Sequence, residues 1–234
     1  MKGDTMVLSY TQIEEIAEAV IYDFCRNIEE KPYAVDVGRL AKEYLGLTVS
    51  FVTLSSDGSL CGLTAYEDTQ IKITGPLGER TIPLKRNQVL IERSLLEQRK
   101  LTARCRFTLA HESAHQILYQ MDTLENQTVC KEQYSSRCAY SSRELKSKED
   151  WNEWQANALG AALLMPAVFL AQAMEHRPKI ECFGGEFNYL GRASLTFISQ
   201  RFGASRSATE IRLRQLGYIV DKPRNAYYDP LEVW

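Results

Sequence analysis

In "TQIEEIAEAVIYDFC" the apolar residues Ile13, Ile16, Val20 and Phe24 recur every three to four positions, the period of one helical face. Thr11 followed three residues later by Glu14 reads as a capping box opening that helix. "DVGRLAKEYLG" repeats the period, with Asp36 as N-cap and Gly46 as the stop. The texture then changes. "LTVSFVTL", "CGLTAYED", "TQIKITG", "RTIPL" and "NQVLIERS" are short and rich in β-branched residues, and turns such as "SSDGS" and "GPLGE" separate them. They predict a small antiparallel sheet between residues 47 and 95. Helix returns near Lys100 and carries "RFTLAHESAHQILYQM". Residues 121–148 are polar and aperiodic, which predicts a long loop or insertion with a little helix. "EDWNEWQANALGAALLMP" is a strong helix closed by Pro166. After a break at "RPKIECFGGEFNYLG", the stretch "SLTFISQRFGASRSATEIRLRQLGYI" reads as helix, glycine turn and helix, with Ser205 as an N-cap.

Helices flanking a separate run of strands make an α+β fold. We divide the 234 residues into a main domain over 1–174, with 121–148 as its insertion, and a helical C-terminal region over 175–234. A charged content of 25% beside 44% hydrophobic residues excludes a disordered chain. A net charge of −2 removes any global field that would gather nucleic acid or an anionic membrane. "MKGDTMVLSY" has no apolar signal core, and no stretch reaches the length of a membrane span. The expectation is a cytoplasmic protein with no membrane partner. The six cysteines show no CxxC spacing and are expected to be free thiols in a reducing compartment. Cys130 and Cys138 lie near one another in the polar segment, and ordinary loop thiols are preferred there to a second metal site.

The candidate chemistry lies in the helix after Lys100. Two of the three histidines, His111 and His115, stand four residues apart with Glu112 between them. On a helix, positions i and i+4 share a face, so both imidazoles can reach one ion at about 2.0–2.1 Å. Glu112, one residue round, falls beside the ion's open position, where a carboxylate acts as a base toward water rather than as a ligand. Apolar neighbours Phe107, Ala110, Ala114, Ile117 and Leu118 make this a buried helix. A third protein ligand is needed. His176 lies beyond Pro166, and an acid on the next helix is the better candidate. Glu153 shares a face with Ala156 and Gly160, small residues that allow close approach to the first helix. Glu149, one turn earlier, is not excluded by helical phase.

"RFTLAHESAH" followed by "EWQANALGAALLMP" resembles the ImmA/IrrE family of zinc metallopeptidases. The resemblance extends upstream to "VDVGRLAKEYLGL" and downstream to "ISQRFGASRSATEIRLRQLGYI". It implies a zincin-like fold and a gluzincin-type site. By motif position, His111 and His115 would be the histidine ligands of Zn2+, Glu112 the catalytic acid/base and Glu153 the third ligand. Zn2+ is the expected ion, with Mn2+ as an alternative in vitro. Members of that family are typically bacterial or phage regulators, and several cut a helix-turn-helix repressor to release a stress or mobile-element programme. This chain departs in three ways. The His115–Glu153 spacing is long, Tyr119 stands where another histidine is common, and Ser113 and Ala114 replace the usual Leu/Ile and Gly.

Two classes of function follow. One is a zinc endopeptidase whose substrate is a regulatory protein. The other is a non-proteolytic regulator that binds through the metal fold or the C-terminal helices. An intact Glu112 favours the enzyme, because a purely structural zinc site has no use for that base. Residues 191–220 carry five arginines against the single acid Glu210, which admits DNA contact. A packing role with a solvated basic face is preferred, since the chain as a whole is not basic. An exposed strand edge suits an extended substrate, and "TQIKITG" is the expected edge.

Overall fold

A computed structural model describes residues 7–26, 34–55, 59–75, 78–98, 101–121, 133–135 and 148–231. Helix α1 (Tyr10–Arg26) buries Ile13, Ala17, Ile21 and Phe24. Its capping box is Ser9 with Gln12, not Thr11 with Glu14: the Ser9 amide donates to Gln12 Oε1 at 2.9 Å, and the Gln12 amide donates to Ser9 Oγ at 3.3 Å. Glu14 is thereby released for the ion pair described below. Asp36 caps α2 (Val37–Arg39) as expected, accepting from the Arg39 amide at 3.0 Å. The helix widens into a π-helical segment, Leu40–Tyr44, and stops at Gly46, whose φ of 67° is the left-handed conformation glycine tolerates.

The five predicted strands form as β1 (Thr48–Val52), β2 (Leu60–Ala65), β3 (Thr69–Gly75), β4 (Gly78–Leu84) and β5 (Gln88–Glu92). Their pairing differs from a single antiparallel sheet. β1 pairs in parallel with β5, while β2 lies antiparallel on β5's other side. A short strand β6 (Gln133–Ser135), from the polar segment, closes the order β1-β5-β2-β6. β3 and β4 form a separate two-stranded sheet, with Ile71 and Ile73 buried in a satellite apolar cluster. Residues 122–132 and 136–147 of the polar segment, including Cys130 and Cys138, lie outside the described residues.

Helix α3 (Ser94–Glu97) leads to α4 (Thr102–Met121), which packs between β2 on one side and α5 (Lys148–Leu164) on the other. Pro166 ends α5 and stands as the N-cap of α6 (Ala167–Met174). The break that follows contains strands. β7 (Ile180–Phe183) turns through Gly184 and Gly185, at φ of 57° and 90°, into β8 (Glu186–Phe187). Helices α7 (Tyr189–Phe202) and α8 (Arg206–Gln215) follow, joined at Gly203, with Ser205 capping α8 as expected. β9 (Ile219–Lys222) then returns parallel to β7, so the C-terminal region is helix plus a three-stranded sheet.

One apolar core includes Ile13, Ala110, Leu159, Phe169, Phe202 and Leu213, and so runs continuously from α1 to α8. Polar ties reinforce it. Arg106 donates to the carbonyls of Val35, Phe202 and Gly203 at 2.9, 3.3 and 3.2 Å. Arg212, 1% exposed, pairs with Glu14 and donates to the Met165 carbonyl at 3.1 Å. Among the described residues, no single helix is long and apolar enough to cross a membrane.

Candidate metal centre

The site is made where α4 and α5 approach most closely. Gly160 is the residue of contact: a Cβ there would lie 3.0 Å from both the Cα and the amide nitrogen of His111. The small-residue face predicted for α5 therefore meets the backbone of the histidine itself. The opposite flank of α4 is held to β2 by Gln116, whose Nε2 donates to Thr64 Oγ1 at 2.6 Å and to the Ala65 carbonyl at 3.1 Å.

Between these contacts α4 is fully covered. His111, Glu112 and His115 are 0%, 1% and 3% exposed. The two Nε2 atoms stand 3.0 Å apart, with the rings nearly perpendicular. From α5, Glu153 brings Oε2 to 3.4 Å from His111 Nε2 and Oε1 to 3.3 Å from His115 Nε2. All three donors can be chosen within 4.8 Å of one another. Bonds of about 2.0–2.1 Å at tetrahedral angles separate ligand atoms by roughly 3.3–3.4 Å. The two spacings to Glu153 match that requirement and the two Nε2 atoms stand a few tenths of an ångström closer, so the residues present fit a tetrahedrally ligated ion with a small opening of the histidine pair.

The electrostatics agree. Burial, and then the neighbouring His115, hold the His111 imidazolium down to about 4. Burial alone would push the Glu153 carboxyl up, but the hydrogen bonds and charges of the two histidines together outweigh it and hold it down to about 2. At neutral pH the cluster thus presents a neutral imidazole and an ionised carboxylate, the forms that bind metal.

Glu112 points to the other side, against β2. A Cβ on Gly62 would fall 2.7 Å from Glu112 Oε1 and 2.6 Å from Thr108 Cγ2. Only a residue without a side chain lets the carboxylate lie there. The strand beside the predicted base is therefore β2, while β3, the expected edge, is an edge strand of the separate two-stranded sheet it forms with β4. Composition offered no signal for Gly62 beyond a lone glycine in a strand pattern. Asn157 was also missed. It hydrogen-bonds His111 and stands one turn after Glu153, a spacing that would have placed it on the same face. Tyr119, at the position where a further histidine was looked for, stacks on Tyr66 with ring centroids 4.1 Å apart. His176 lies apart and exposed, 3.7 Å from Glu175.

Of the five arginines in the C-terminal helices, Arg212 is buried in its pair with Glu14. Arg214 binds Asp221 through Nη1 at 2.7 and 2.9 Å. The Arg201 guanidinium lies 5.7 Å from the Phe197 ring, whose face also holds Arg177 at 4.3 Å. Three of the five are thus engaged within the fold, while Arg192 and Arg206 are exposed.

No curated protein matches the sequence. Residues 67–214, more than half of the chain, match the M78 peptidase family model, described as the IrrE N-terminal-like domain. The match takes in α4, α5 and all of the His111–His115–Glu153 cluster, and by it the chain belongs to the M78 family of metallopeptidases.

Proposed function

We propose that the chain is a zinc-dependent endopeptidase that cleaves a regulatory protein, a helix-turn-helix transcriptional repressor. The observation that carries the hydrolytic part is the convergence of two imidazoles and one carboxylate at ligand spacing, with a second buried carboxylate adjoining them. In this reading His111, His115 and Glu153 hold the ion. Zn2+, or Mn2+ in vitro, supplies Lewis acidity that brings the pKa of water toward ~7 and polarises a carbonyl.

The remaining work belongs to Glu112. Its carboxylate takes the proton of the attacking water and delivers it to the departing amine nitrogen, so one group serves as base and then as acid. Burial excludes competing solvent from that carboxylate, and Gly62 gives it room beside β2. Asn157 supports His111 from α5, which fixes the ring that must bind metal.

The repressor as substrate rests on the family resemblance. The test is incubation with a candidate repressor encoded beside this gene, in Zn2+, Mn2+ or chelator, read by mass spectrometry. Metal-dependent fragments abolished by chelation are expected. Intact repressor under every condition, with zinc bound to the protein, would overturn the reading in favour of a non-proteolytic regulator.

A further inference from the structure

Helix α7 packs on β7, β8 and α8, and buries Leu195, Ile198 and Phe202 on its inner side. Its outward side is not a polar surface. Tyr189, Leu190 and Phe197 are 52%, 54% and 37% exposed, and Ala193 between them is exposed as well. Leu190, Ala193 and Phe197 are spaced by three and four residues, so they line one outward seam, with Tyr189 beside it. Scattered apolar residues are ordinary on a surface, but a seam in heptad spacing is what one helix presents to another. The small Ala193 between larger neighbours leaves a hole that a partner's side chain fits.

Charge sets the chemistry of that partner. From Phe187 to Thr209 the sequence has no acid, and it carries Arg192, Arg201 and Arg206. Arg192 is exposed on α7 itself. Arg177 and Arg201 hold their guanidinium groups over the Phe197 ring, 4.3 and 5.7 Å from its centroid. The nearest acids along the chain are engaged elsewhere: Glu186 with Arg224, Glu210 with Arg214, and Glu175 beside His176. Arg177 and Arg192 have no ion-pair partner among the described residues. The apolar seam thus has a cationic rim, although the whole chain is net −2. Helix α7 is also fixed to the metal cluster's own helix. Arg106, on α4 with His111 and His115, donates to the carbonyls of Phe202 and Gly203 at the end of α7.

We propose that the outward face of α7 is a docking surface for an acidic amphipathic helix of the protein substrate. Apolar side chains of that helix cover Leu190, Ala193 and Phe197, and its carboxylates meet Arg177, Arg192 and Arg201. The inference rests on the peptidase reading above and deepens it, by giving the substrate a recognition element separate from the bond that is cut. Nucleic acid is the poorer fit, because the apolar seam offers nothing to a phosphate backbone.

The test uses the full chain carrying Glu112→Gln, so that binding is read without turnover. The probe is a fluorescein-labelled helical peptide of about four turns, with leucines in heptad spacing and glutamates flanking them. Fluorescence anisotropy follows its titration. Leu190→Asp and Arg192→Glu, both at exposed positions, should each weaken binding by about tenfold, the loss expected of a central contact. Tyr22→Ala, at a position 72% exposed on α1, should leave it unchanged. Raised salt should weaken binding, since the rim is solvent-exposed. Urea denaturation checks that each variant is folded, and Phe197→Ala replaces any that is not. Equal affinity across the folded variants, or no binding of the peptide, overturns the proposal. So does a DNA duplex of about two turns that the chain binds through Arg192 while it ignores the peptide; the surface is then a nucleic-acid contact. The two readings separate. If these binding results hold while no protein is cut, the peptidase reading fails and the surface stands as a protein contact. If a protein is cut with equal kcat/KM by the wild-type chain and by Leu190→Asp, the docking surface falls alone.

Discussion

Glu112 and Glu153 are both carboxylates near one cluster, their surroundings differ, and the proposed reading gives them different work. Glu153 faces the two Nε2 atoms at 3.3 and 3.4 Å, whereas Glu112 lies against Gly62 of β2. Glu112→Gln preserves size and removes the proton acceptor. Metal content should persist while cleavage falls by about 10²–10⁴-fold, the usual contribution of a general base. A fully loaded variant that cuts at the wild-type rate would sink that assignment. Glu153→Ala should strip or weaken the metal, while Glu149→Ala leaves it in place; elemental analysis of the two purified proteins decides. Reversed losses would mean that the helix register is wrong. At this scale the histidine pair was legible because i and i+4 share a face. Helical phase alone left Glu149 open, since residues one turn apart look alike until a partner helix selects between them. The capping box failed for a related reason: Ser9–Gln12 and Thr11–Glu14 are equally good patterns, and Glu14 is drawn to Arg212 by a contact 198 residues away.

Among the elements, the strands were legible and their partners were not. β-branched runs bounded by turns locate β1 to β5 within a few residues. Nothing local tells β1 to pair in parallel with β5, or β3 and β4 to stand aside as a hairpin. β7 and β9, at four residues each, are too short to show an alternation against their surroundings. The α4–α5 contact was legible in part, because Ala156 and Gly160 mark a face meant for close packing. That contact carries its own prediction. In a solvent-facing helix, Gly→Ala stabilises by about 1 kcal/mol. At Gly160 the new methyl meets the His111 backbone at 3.0 Å, which can yield only by moving α4. Overpacking of this kind costs about 1–3 kcal/mol and should win. Gly160→Ala is therefore expected to lower stability in urea and to weaken metal binding in a chelator competition. A variant more stable than wild type, with unchanged metal affinity, would show that the two helices have slack.

For the whole molecule, the basic composition of the C-terminal helices suggested a surface, while the structure uses one of its arginines as an internal bolt. Arg212 is 1% exposed and joins α8 to α1 through Glu14 and to the end of α5 through the Met165 carbonyl. No local pattern reports such a pair, because its members come from opposite ends of the chain. Its energetics are asymmetric. A buried guanidinium that loses its carboxylate keeps the full desolvation cost, and breaking a buried pair from one side costs about 3–5 kcal/mol. Glu14 retains 28% side-chain exposure, so solvent screens part of that loss and the lower end of the range applies. Glu14→Ala leaves Arg212 buried with only the Met165 carbonyl and should be strongly destabilising. Arg212→Met instead frees Glu14, which can turn to water, and fills most of the vacated volume with an apolar chain. Glu14→Ala is therefore expected to cost more than Arg212→Met, and adding Arg212→Met to Glu14→Ala should recover stability rather than lose more. Urea denaturation of the three variants measures the order. Simple additivity of the two losses would mean that the pair is not coupled, and that the C-terminal helices are held to α1 by apolar packing alone.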